Sequence, residues 1–113
     1  APHGRNVLIP NEAPFRLANG IGGRLSMSRP PRGGVTLSLT CVRRTLKTKA
    51  DNARTVEVET LWEQSTRLKD GAFAFRALSD LPPANAAGDT QVAWTLTASG
   101  DGFRAIFRLP VEA

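Results

Sequence analysis

The chain is 113 residues long, with 41% hydrophobic and 22% charged residues and a net charge of +5. These are the proportions of one globular domain, not of two domains or a disordered tail. One His, one Cys and no Tyr leave little for acid–base or nucleophilic chemistry, rule out an internal disulfide and fall short of a four-ligand zinc site. No apolar run approaches the roughly 20 residues of a membrane-crossing helix, and no basic head followed by an apolar stretch marks a leader.

Taken in chain order, residues 1–14 are expected to form a short, poorly ordered lead-in, and residues 15–113 a single domain. A strand falls near Asn6–Ile9 or near Phe15–Leu17. Ile21, Gly23, Leu25 and Met27 then share one face of a strand. Val35, Leu37, Leu39 and Cys41 alternate with Thr36, Ser38 and Thr40, which gives an apolar face and a hydroxyl face at period two. Between these runs, Arg29-Pro30-Pro31-Arg32-Gly33-Gly34 is a tight reversal.

A polar loop at 48–53 leads to the next strand. There Val56, Val58, Thr60 and Trp62 are expected on one face, with Glu57, Glu59 and Glu63 on the other. After a turn at Lys69-Asp70-Gly71 come Phe73 and Phe75. The irregular stretch 78–90 is expected to cross between sheets. Val92, Trp94, Leu96 and Ala98 then form an inward face, as do Phe103, Ala105, Phe107 and Leu109. A four-residue loop over 99–102 would set Ala98 opposite Phe103, Leu96 opposite Ala105, Trp94 opposite Phe107 and Val92 opposite Leu109. Six clear strands and a seventh, short and antiparallel, predict an all-β, immunoglobulin-like two-sheet sandwich.

Charge is unevenly spread. Residues 1–54 carry ten basic and two acidic side chains, and residues 55–113 carry five basic and eight acidic. Arg43, Arg44, Lys47 and Lys49 precede a turn that Glu57, Glu59 and Glu63 follow, so a hairpin would pair these sets across strands. The other reading is an anion- or partner-binding patch. Its candidate residues are Arg24, Arg29, Arg32, Arg43 and Arg44.

Other candidates reduce to structure. His3 sits in the lead-in with no placed partner. Cys41 on an apolar face reads as a core thiol. Gly20-Ile21-Gly22-Gly23 lacks the Lys-Ser/Thr and the helix of a phosphate loop and reads as a strand entry. Trp62, Trp94, Phe73, Phe75, Phe103 and Phe107 fall on inward faces, which leaves a nucleic-acid binder without stacking platforms.

Phe73-Ala74-Phe75-Arg76-Ala77-Leu78, followed by Leu81-Pro82-Pro83-Ala84-Asn85 and by Val92-Ala93-Trp94-Thr95-Leu96-Thr97-Ala98, resembles a pattern of arrestin-like sandwich domains. Gly22-Gly23-Arg24-Leu25, the run 34–44, Leu61-Trp62-Glu63 and Phe107-Arg108-Leu109-Pro110-Val111 are similar to the C-terminal soluble domain of a group of bacterial multi-pass membrane proteins. Together these motifs cover about residues 20–111. The resemblance implies membrane helices upstream of Ala1 and a position beside the inner face of the membrane. There a basic side chain near anionic headgroups contributes about 1 kcal/mol. The expected function is a non-catalytic interaction or structural module with no cofactor or metal. It would bind a protein or an anionic surface by strand addition or through the arginines. The alternative is a nucleic-acid-binding domain that uses the same Arg-rich face.

Overall fold

The computed structural model describes residues 6–113. His3 lies outside them, so its expected role is not addressed. The strands are β1 (Asn6–Pro10), β2 (Phe15–Arg16), β3 (Ile21–Met27), β4 (Thr36–Thr48), β5 (Arg54–Arg67), β6 (Ala72–Phe75), β7 (Thr90–Gly100), β8 (Phe103–Leu109) and β9 (Val111–Glu112). One turn of 3-10 helix, Leu17–Asn19, is the sole helical element among the described residues. Among the described residues no helix is long and apolar enough to cross a membrane.

Two antiparallel sheets form the body, one ordered β1-β3-β6 and the other β5-β4-β7-β8, while β2 and β9 make a short parallel pair. The two-sheet, all-β expectation therefore holds. Both candidate sites for the seventh strand are occupied, by β1 and β2. The expected domain boundary at residue 15 falls inside the fold, because Asn6–Pro10 pairs along β3 from Met27 to Gly23. Alternation over five residues is too short a signal to separate an edge strand from a lead-in.

The core is the set of inward faces. Leu37, Leu39 and Cys41 of β4 and Trp94, Leu96 and Ala98 of β7 are fully buried. Ile21 and Leu25 of β3 and Phe73 and Phe75 of β6 close over them from the other sheet. Each buried aliphatic or aromatic side chain contributes about 1.5–3 kcal/mol. The Trp94 indole donates from Nε1 to the Pro82 carbonyl at 2.9 Å, which satisfies its only polar atom.

The glycines of 20–23 are steric requirements of the sheet. Gly20 has φ of +76°, and a Cβ at Gly23 would run into the Ile9 carbonyl. β1 and β3 can approach this closely only without a side chain there. The strand-entry reading of this motif is the one the backbone shows.

Two expectations need correction. β7 continues to Gly100 and turns through Asp101-Gly102, with Gly102 at φ +66°. Gly100 therefore faces Phe103, Ala98 faces Ala105, Leu96 faces Phe107 and Trp94 faces Leu109. The loop is two residues and not four, because Gly at positive φ lets the chain reverse tightly. The slip is an even number, so each side chain keeps its expected face.

The second correction concerns β5. Cys41 pairs with Trp62 but Val42 pairs with Thr60, so Leu61 is an extra residue in a β-bulge. A bulge shifts alternation by one. Trp62 turns inward against Phe75 and Trp94, at ring-centroid distances of 6.4 and 6.2 Å. Val56 and Val58 consequently lie on the opposite face from Trp62, and Glu63 is separated from Glu57 and Glu59.

Candidate partner-binding surfaces

The four-stranded sheet is not uniformly deep. β4 and β5 are 13 and 14 residues long, whereas β8 pairs with β7 only as far as Trp94 and β7 pairs with β4 only as far as Thr45. Beyond Cys41 the β4–β5 hairpin therefore projects past the core, along a molecule 52 Å in its longest dimension. The loop at its tip is held by Lys49 N–H donating to the Ala53 carbonyl at 2.8 Å, and by Ala53 N–H donating to Asp51 Oδ1 at 3.1 Å.

The two faces of this projection differ in chemistry. On the face continuous with the core, Arg43 pairs with Glu59, and Lys47 Nζ lies 3.0 Å from Glu57 Oε2. On the other face, Thr40 Oγ1 donates to Glu63 Oε2 at 3.4 Å. The cross-strand pairing expected of the hairpin is thus present at Arg43 and Lys47. These side chains are 44–63% exposed, so each pair contributes about 0–1 kcal/mol. The outer face carries Val56 and Val58, which are 58% and 60% exposed.

β5 is also the end strand of its sheet. In an antiparallel ladder the amides of alternate residues point to opposite sides. Lys49 N–H donates to the Ala53 carbonyl and Leu46 N–H donates to the Asp89 carbonyl on the opposite side. Lys47, Thr45 and Arg43 are therefore the β4 residues bonded to β5, and their partners Thr55, Glu57 and Glu59 direct their backbone groups toward β4. Val56, Val58 and Thr60 direct theirs to the open side. The apolar exposed side chains and the unused backbone donors and acceptors therefore belong to the same residues.

The five sequence-nominated arginines do not form one patch. Arg24 lies on β3 and donates from Nη2 to the Asp70 carbonyl at 3.0 Å. Arg29 and Arg32 lie in the connection from β3 to β4. Arg43 and Arg44 are seven and eight residues into β4 from Thr36, about 23–26 Å further along at the rise of a strand. Arg43 and Arg44 also point to opposite faces, since Arg43 sits opposite Glu59 and Arg44 opposite Val58. One sequence run thus supplies a structural ion pair and a separate surface cation.

Arg44 shares a cleft with another cation. The cleft, of about 550 Å³, is lined by Arg44 and Arg108 together with Ala84, Val92, Leu109, Val111 and the acidic Glu112. Arg108 escaped sequence reasoning because it lies in the acidic half of the chain. Only the β4–β7–β8 order brings the two arginines to one end of the outer face. Arg67 was missed too: its guanidinium donates to the Gly33 carbonyl at 2.7 Å and to Thr36 Oγ1 at 3.5 Å, fastening the inter-sheet connection.

The remaining chemistry-bearing groups are enclosed. Cys41 is fully buried, and burial pushes its thiol up to about 11, which keeps it from forming the reactive thiolate at neutral pH. Trp94 is inaccessible, and Trp62 is half-buried, packed against Phe75 and Trp94 with the Arg76 Cζ 5.9 Å over its ring. Among the described residues no group of three or more His, Cys, Asp or Glu could hold a metal ion.

This topology defines an arrestin-like β-sandwich. Among solved structures the chain is similar to Spo0M, a sporulation control protein from Bacillus subtilis. The match has a TM-score of 0.55 and 18% identity over 98% of this chain and 50% of that one. The chain thus spans about half the length of that protein. No family model matches the chain, and no curated protein matches it.

Proposed function

We propose that this domain is a non-catalytic interaction module that receives a strand from a partner protein on the open edge of β5, as the soluble part of a bacterial membrane protein beside the cytoplasmic face. The observation that carries this reading is the coincidence, at Val56 and Val58, of exposed β-branched side chains (58% and 60% exposed) with backbone groups pointing off the sheet. The membrane placement rests on the sequence resemblance alone. A regulatory protein of twice the length shares the fold, which suits a module that works by contact.

A photo-crosslinking residue placed at Val56 or Val58 in cells should give a discrete adduct. The same residue at Thr97, on the hydroxyl face of β7, should not. Equal adducts from all three positions, or none, would remove the edge from consideration.

A second reading has its own observation. Arg44 and Arg108 share the cleft at the end of the outer face and have no ion-pair partner among the described residues. They would suit an anionic surface, or nucleic acid in the alternative form of that reading. Sedimentation with anionic vesicles and with duplex DNA at two salt concentrations tests both forms. Binding that falls steeply with salt and is lost in Arg44→Ala/Arg108→Ala supports the reading, and salt-insensitive absence of binding to either removes it.

A further inference from the structure

The edge of β5 also carries information about which strand it accepts. We infer that the partner segment is an extended peptide in which basic residues alternate with β-branched apolar ones, docked antiparallel or parallel along residues 54–60. This rests on the strand-addition reading above and names the chemistry of the incoming strand.

Side chains on an added strand lie beside those of the edge strand on the same face. On one face of residues 54–60 they would meet Val56 and Val58. On the other they would meet Glu57 and Glu59, the outermost side chains of the hairpin on that side. Each glutamate already has one cation behind it, Lys47 or Arg43, and its side chain is still 61–63% exposed. A Lys or Arg on the incoming strand would put each carboxylate between two cations. An acidic residue there would sit directly against a like charge.

The same arrangement works against a second copy of this chain. Pairing about a two-fold axis through Val58 sets Glu57 against Glu59 of the other copy, and pairing about Glu57 sets that residue against itself. Like charges directly opposite are destabilising. Pairing over the full length of β5 would put the axis beside Leu61, where the bulge interrupts the ladder. Bulges and inward-pointing charges are recognised devices that keep an edge from self-association. Here they work against these three registers of the chain's own strand, although an axis through Val56, which sets Glu57 beside Thr55, is free of that repulsion; residues 54–60 are open to a strand of complementary charge. Of the other edges, β1 is five residues ending at Pro10 and β6 is four, while β8, the opposite end strand of the four-stranded sheet, exposes the single large apolar side chain Ile106 and flanks it on its face with Arg104 and Arg108 in place of glutamates.

The test uses the 113-residue protein and three acetylated, amidated peptides: Thr-Lys-Val-Lys-Val-Lys-Thr and its counterparts with Glu or Ser in place of Lys. Amide exchange and backbone NMR shifts report binding. The lysine peptide should protect Val56, Val58 and Thr60 and bind at least about tenfold more tightly than the glutamate peptide. Glu57→Gln/Glu59→Gln should abolish that preference. Val58→Pro should abolish binding but keep the fold by circular dichroism, because the Val58 N–H points away from β4.

Equal binding of all three peptides would overturn the charge rule and leave strand addition standing. Failure of every peptide to protect the edge would overturn both. Protection of Val56 and Val58 by concentration-dependent self-association alone would also overturn the inference.

Discussion

The alkaline limb of the stability curve gives a direct reading of how tightly the two sheets close. Cys41 is fully buried between Leu39 and the bulge, and its thiol is raised from 9.0 to about 11 by desolvation. The folded state therefore holds this proton over a range in which the unfolded chain has released it. Because the folded state binds more protons there, stability is fully present below pH 9, falls as pH rises through 9 to 11, and levels off above. Two pH units at about 1.4 kcal/mol each correspond to a loss of about 2–3 kcal/mol. Few other groups interfere. The chain has no Tyr, and every other ionisable group is common to the wild type and to the Cys41→Ala reference. Urea unfolding followed by tryptophan fluorescence, under reductant at pH 8, 9, 10 and 11, measures the effect. Cys41→Ala provides the reference, since it loses packing at every pH but has no proton to release. The wild-type advantage over the variant should shrink by about 2–3 kcal/mol across the range. Parallel curves for the two proteins would show that the thiol reaches water in the folded state and would refute the buried-core reasoning.

Three further outcomes follow from particular contacts. Gly23→Ala should cost about 1–3 kcal/mol, the range for overpacking, and should loosen β1 first, seen as faster amide exchange at Leu8 than at Leu39. Trp94→Phe leaves the Pro82 carbonyl unpartnered in a part-buried site and should cost about 1–3 kcal/mol from that atom alone, measured as a shift in urea midpoint. Arg43→Ala, by contrast, breaks an ion pair between exposed side chains. Its cost should stay below about 1 kcal/mol and vanish in high salt by the same assay.

The sequence was most informative where a pattern repeats over many residues. The alternation from Val35 to Cys41 and from Val92 to Ala98 identified the two central strands, their inward faces and the burial of Trp94. It failed where one residue breaks the rhythm. Nothing about Leu61 as a letter announces a bulge, because the extra residue is selected by the need to turn Trp62 toward Phe75 and Trp94 while Thr60 stays opposite Val42. That single shift sets Val56 and Val58 on the outer face, so the candidate edge could not be read from the sequence. The placement of the arginines was hidden for a related reason: closeness along a strand puts Arg43 and Arg44 on opposite faces, while Arg44 and Arg108 share a cleft only through the order of three strands. The two-residue pair β2–β9 has no period to detect.

That small parallel pair has a consequence for how the chain is made. Phe15 and Val111 are 2% and 3% exposed, and Phe15 N–H donates to the Pro110 carbonyl at 2.9 Å. A residue near one end of the domain is thus shielded by one near the other. On the ribosome Phe15 must wait, uncovered, until Val111 has emerged, and only then can the clasp shut. A nascent chain stalled shortly before that point would hold most of its strands and still present a greasy aromatic ring to chaperones.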